Sequence, residues 1–128
     1  MAKYEHLPIY KKSMDLAVHI HDCIKNFSRY NKYTIGTDLR NISREIMKLI
    51  VRANSAIDKI DVLVELVETC EMMKIMLMFA KETKAFQNFK SFQIAIGLAT
   101  SLCKQSEGWL QSSRKKSQNY QPSSKTGR

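Results

Sequence analysis

Turn residues are scarce in this chain: its 128 residues include four glycines and two prolines. Together these fill about 5% of positions, against a typical ~12%. All-β sandwiches and barrels need frequent turns, so the shortage excludes them. No Asn-Gly or Asp-Gly dipeptide is present to seed a hairpin. The three cysteines, Cys23, Cys70 and Cys103, are odd in number and widely spaced, with no Cys-x-x-Cys. Reduced, buried thiols fit that pattern better than a disulfide framework. The opening Met-Ala-Lys-Tyr-Glu-His lacks the apolar stretch of a signal peptide. The longest apolar run, Ile75 to Ala80, is six residues, far below the ~20 that cross a bilayer. A cytoplasmic protein with no membrane partner is expected.

Catalytic signatures are also missing. There is no Gly-x-Gly-x-x-Gly, Gly-x-x-x-x-Gly-Lys, Gly-x-Ser-x-Gly or His-Glu-x-x-His. The Glu-x-x-His pairs that hold two irons inside a helix bundle do not occur either. His19, His21 and Cys23 resemble a ligand cluster in one dimension only. Residues two apart on a helix differ by about 200°, so His21 points away from the other two. His19 and Cys23 alone make a weak site. The reading is a protein without enzymatic activity, cofactor or metal.

What the chain does have is positive charge and helical periodicity. Lys plus Arg is 21 and Asp plus Glu is 12, a net +9. Arg114, Lys115, Lys116, Lys125 and Arg128 stand at the C-terminal end, with no acid from Gln111 onward. A surplus of this kind favours polyanions, nucleic acid foremost.

Four amphipathic segments succeed one another. The first opens at Pro8, which suits a first helical turn because its missing N–H would lack a partner there. From Ile9, positions Ser13, Ala17, Ile20, Ile24 and Phe27 continue at helical spacing. Phe27 to Thr34 breaks the pattern and reads as a loop, with Thr34 or Thr37 placed to cap the second segment. In that segment Ile35, Leu39, Ile42, Ile46, Leu49, Ile50 and Ala53 share an arc of about 100°. Its end is expected near Asn54-Ser55.

The third segment, from about Asp58 to Lys84, places Leu63, Leu66, Cys70, Met73, Leu77 and Ala80 on a strict heptad seam. Asp58, Asp61, Glu65 and Glu68 lie on the far side of its first half. Its second half is apolar all round, and Met72, Ile75 and Phe79 lie roughly opposite the seam. A helix apolar on both faces must be covered on both, and one bundle covers only one. Met72, Ile75 and Phe79 are therefore expected at a subunit contact. Met72, Met73, Met76 and Met78 read as core and interface filling rather than as an adaptable docking surface.

The fourth segment begins near Asn88 or Ser91, with Phe92, Ile96, Ala99, Leu102, Cys103, Trp109 and Leu110 facing inward. Trp109 is assigned to packing. Gly97 and Gly108 weaken this helix by about 1 kcal/mol each relative to alanine. The expected fold is all-α, an antiparallel up-down-up-down four-helix bundle over residues 1–112. Residues 113–128, polar and basic, read as a disordered tail.

Arg40, Arg44, Lys48 and Arg52 recur every four residues, opposite the buried arc of the second segment. Such a ladder stays within an arc of about 120° over roughly 18 Å. It can meet several phosphates in succession. No aromatic residue interleaves it, so base stacking of the single-strand-platform type is not indicated, and the expected readout is of backbone and shape. Pairing with Asp58, Asp61, Glu65 and Glu68 of the next helix is the competing use, reaching Lys48 and Arg52 first.

Leu7-Pro8-Ile9-Tyr10-Lys11-Lys12, Tyr33-Thr34-Ile35-Gly36, Arg52-Ala53-Asn54-Ser55-Ala56 and Gly108-Trp109-Leu110 occur in an order that resembles small bacterial four-helix-bundle proteins. The branch this chain is most similar to is the accessory variability determinant (Avd) of diversity-generating retroelements, over about residues 5–112. The wider family includes bundles encoded in intervening sequences of ribosomal RNA genes. Two positions depart from the pattern: Ser28 stands where a proline is frequent, and Glu107 where a glycine often precedes Gly108-Trp109. The resemblance implies a homopentameric ring that associates with a reverse transcriptase and its template RNA and supports mutagenic copying, catalysis being left to the polymerase. On that basis the expected partners are a reverse transcriptase and RNA or DNA. Arg40, Arg44, Lys48 and Arg52, with Lys115 and Lys116, are the candidate contacts, a set read from this sequence and not from a family motif. The alternative is an intervening-sequence-type bundle with a structural or interaction role and no nucleic-acid binding.

Overall fold

Pro8 opens the first long helix, α1 (Pro8–Ile24), after a single 3-10 turn at Tyr4–His6. The structure, a computed structural model, describes residues 4–119. A one-turn helix α2 (Arg29–Tyr33) leads into α3 (Ile35–Ser55), then α4 (Ile60–Glu82) and α5 (Phe89–Asn119). Among the described residues there is no strand.

Each long helix packs on two others: α3 on α1 and α4, and α5 on α4 and α1. Connections as short as Ala56–Lys59 turn the chain straight back on itself, so sequential neighbours run antiparallel. The closing pair runs antiparallel as well. His19, late in α1, hydrogen-bonds the Ser91 carbonyl early in α5 (2.9 Å), and Ile9 shares a cleft with Gln105 and Trp109 near the other end. Edge-to-face rings of Phe27, Phe86 and Phe92, with centroids 5.5 and 5.8 Å apart, seal the end where α1 finishes.

The buried residues of α4 are Leu63, Leu66, Cys70, Met73, Leu77 and Ala80, the whole heptad seam read from the sequence. Elsewhere the inner face shifts slightly. In α1 Leu16 is buried where the spacing suggested Ala17, which is half-buried. In α3 Ser43 is buried and Ile42 half-buried, because the Ser43 hydroxyl donates to the Arg40 carbonyl (2.9 Å) and so carries no unmet polar group inward.

Two boundaries and one cap differ from expectation. The segment read as a loop contains α2, which Ser28 caps by accepting from the Asn31 N–H (3.3 Å). Thr34 stands at the N-cap of α3, yet its hydroxyl donates backward to the Tyr30 carbonyl (2.9 Å). At the other end α5 does not stop at Ser112: it continues to Asn119, so residues 113–119, read from the sequence as tail, extend the helix. Helical hydrogen bonding persists there without a buried face, in a stretch without helix breakers. The remainder of the expected tail, 120–128, lies outside the described residues. Asn88, one of the two candidate starts, caps α5 by accepting from the Ser91 N–H (2.8 Å).

Candidate nucleic-acid interface

Three clear turns of α3 carry the basic ladder. Arg44, Lys48 and Arg52 are exposed along it, and Arg40 is half-buried. Gly36 lies one turn before Arg40 on nearly the same face, and α2 presses against it there: a Cβ on Gly36 would lie 3.2 Å from the Asn31 carbonyl oxygen. α2 thus packs on the first turns of α3, one turn before Arg40.

The competing use of the ladder is not realised. Among the described residues no ion pair joins Lys48 or Arg52 to Asp58, Asp61, Glu65 or Glu68. Lys48 instead meets Glu45 of its own helix at 3.4 Å, an exposed i,i+3 contact of small energetic weight. The i,i+3 spacing was visible in the sequence; the choice of Glu45 over the α4 acids required the bundle. Arg40, Arg44 and Arg52 have no carboxylate within ion-pair distance among the described residues.

Lys115 and Lys116 stand exposed on the last turns of α5. Lys116 borders a cleft of about 390 Å³ formed with the α3–α4 connection, lined also by Ile57, Lys59 and Trp109. The bundle thus sets Lys116 against the connection that comes after Arg52, and does not merge Lys115 and Lys116 with the Arg40 end of the ladder. Trp109 is half-buried and packs against the core.

Sequence reasoning missed Lys59. Its ammonium donates to the carbonyls of Ala53 (2.7 Å), Asn54 (3.1 Å) and Ala56 (2.9 Å). Carbonyls at the end of α3 lack helical partners and carry the negative end of the helix dipole, so one cation satisfies both needs. Only the fold of the connection could reveal it.

Opposite the core seam, the outer face of α4 reads Asp61, Glu65, Glu68, Met72, Ile75, Phe79 and Glu82, again alternating by four and three. Its second half is exposed apolar surface: Met72 46%, Ile75 58% and Phe79 50%, with Met78 beside them. The pairing of His19 and Cys23 is a local contact, with Cys23 Sγ 3.4 Å from His19 Nε2. Because a carbonyl can only accept, the bond to Ser91 O puts the hydrogen on His19 Nε2. Among the described residues no three potential ligands converge.

A family model described as bAvd-like matches residues 7–113. The chain belongs to the bAvd-like family. The match covers α1 to α4 and most of α5, and agrees with the resemblance to Avd carried by Leu7-Pro8-Ile9, Tyr33-Thr34-Ile35-Gly36 and Gly108-Trp109-Leu110. The family is one of non-catalytic accessory proteins, and that is the level at which the match speaks to function. No curated protein and no solved structure matches the chain. Among the described residues no helix is long and apolar enough to cross a membrane.

Proposed function

We propose that this bAvd-like protein is a cytoplasmic, non-catalytic accessory factor of a diversity-generating retroelement. It binds the element's reverse transcriptase and its template RNA or cDNA through Arg40, Arg44, Lys48 and Arg52, assisted by Lys115 and Lys116. Met72, Ile75 and Phe79 join copies into a homopentameric ring. The observation that carries the reading is an α3 ladder whose arginines have no carboxylate partner among the described residues, in a chain of net charge +9 that matches the family over 7–113.

The physical logic is additive. One ladder of four cations gives a modest, salt-sensitive grip on phosphates. A ring repeats it around one particle, and a long polyanion that engages several copies gains avidity without a tight single site.

Arg44→Glu with Lys48→Glu reverses two charges without touching the core. The expected outcome is loss of the gel shift on a template-length RNA, with far-ultraviolet circular dichroism unchanged. An unaltered shift overturns the α3 assignment and moves the contact to the α5 end.

A further inference from the structure

Tyr30 and Tyr33 are 76% and 72% exposed, although the helix that bears them is firmly held. Ser28 caps it, the Thr34 hydroxyl donates to the Tyr30 carbonyl (2.9 Å), and the Thr37 hydroxyl donates to the Lys32 carbonyl (3.5 Å). From below, Gly36 admits α2 so closely that a Cβ would lie 3.2 Å from Asn31 O, with Ile24 Cγ2 of α1 at 3.1 Å from the same spot. The backbone is fixed and the rings stand in water. Side chains three apart on a helix share a face, so the two tyrosines project as a pair.

Arg29 and Lys32 repeat the same spacing beside them, and no acid occurs from Cys23 to Thr37. Lys25 pairs with Asp22 (3.5 Å), whereas Arg29 and Lys32 enter no ion pair among the described residues. Arg40 begins the α3 ladder one turn beyond Gly36, the position against which α2 packs. The ladder has no aromatic of its own; the fold places two at its end.

We propose that Tyr30 and Tyr33 are a stacking platform for unpaired bases of a single-stranded polynucleotide. Its phosphates pass Arg29 and Lys32 and continue to Arg40 and Arg44. The proposal rests on the nucleic-acid reading above and adds the class of strand recognised. Aromatic rings stack on any base whose face is free, but a duplex hides those faces between neighbouring pairs. A duplex can therefore use only the cations. Two cations within the same turn disfavour an apolar protein partner, which would have to desolvate them. Fixing α2 beforehand removes much of the ordering cost of binding.

The test measures fluorescence anisotropy of the full-length protein with labelled oligo(dT), oligo(U) and a duplex of equal length, across a salt series. Comparing the first two arms separates DNA from RNA as the preferred strand. Tyr30→Ala with Tyr33→Ala is expected to weaken binding of at least one single strand about tenfold or more. Duplex binding should stay within about twofold and the salt dependence should hold, since no phosphate contact is lost. Tyr30→Phe with Tyr33→Phe should retain strand binding. Equal losses on strand and duplex, or no loss on either, overturn the platform while leaving the ladder standing. If the unaltered protein binds neither strand nor duplex, the nucleic-acid reading itself falls, and the platform with it. Unchanged strand binding alongside lost capture of a reverse transcriptase would make α2 a protein contact and likewise overturn the proposal.

Discussion

Lys84 ends α4 in the left-handed region, at φ 62°, with no glycine to relieve it. The Ala85 N–H reaches back to the Ala80 carbonyl (2.9 Å) and the Lys84 N–H to the Lys81 carbonyl (3.0 Å), the paired bonds of a Schellman turn. A side chain in that conformation costs about 1–2 kcal/mol, part of which glycine gives back through its freer unfolded state. Lys84→Gly is therefore expected to raise stability by up to about 1 kcal/mol, read as a higher urea midpoint with an unchanged slope. The thiols make a pH prediction at the same scale. Burial pushes the Cys23 thiol up from its ordinary 9.0, whereas the hydrogen bond shared by Cys70 and Cys103 lowers the one and raises the other, so that pair gives no net direction. A folded state that keeps its proton longer than the unfolded chain is favoured below the ordinary thiol value and loses that advantage as pH rises past it. The Cys23 contribution to thermal stability should fall as pH rises past about 9, and Cys23→Ala should shallow that decline. An equal slope in the variant would remove Cys23 from the account.

At the scale of elements, α4 shows how far a pattern can be read without coordinates. Its six core positions were legible because a heptad repeat leaves one narrow buried stripe. The α1 stripe was less sharp: Leu16 and Ala17 are adjacent, and which one turns inward depends on the partners of the helix. α2 escaped notice because five residues carry no periodic signal, and its stability comes from Ser28, Thr34 and Gly36 rather than from propensity. α5 is the longest helix and holds Gly97 and Gly108 in its interior, where an added Cβ meets nothing within 4 Å. Gly97→Ala is accordingly expected to stabilise by up to about 1 kcal/mol, checked by thermal melting. Glu107, exposed and a better helix former than the glycine it replaces, leaves α5 unbroken.

For the whole molecule, the distribution of surface matters more than its total. Basic residues occupy α3 and the exposed end of α5, while the outer α4 seam is acidic in its first half and apolar in its second. Exposed apolar area gathered on one helix face marks a docking surface more reliably than scattered side chains do. With Met72, Ile75 and Phe79 as the subunit contact, Phe79→Glu should give smaller particles in multi-angle light scattering with helicity preserved. An unaltered mass would refute that assignment. A neighbouring reverse-transcriptase gene with a template and variable repeat pair would support the retroelement role, and a location inside a ribosomal RNA gene would favour the intervening-sequence alternative.

The order of amino acids by itself determined an all-helical chain, the α4 core seam, the α3 ladder and the likeness to Avd, because these depend on periodicity and short-range spacing. Tertiary structure decided which charges stay unpaired. Asp61 and Glu65 come soon after the ladder in sequence, yet the packing of α4 leaves them beyond ion-pair distance of Lys48 and Arg52. It also brought Lys59 onto the end of α3 and packed α2, which bears Tyr30 and Tyr33, against Gly36 of α3, since contacts between elements depend on how helices pack and not on the pattern within any one of them.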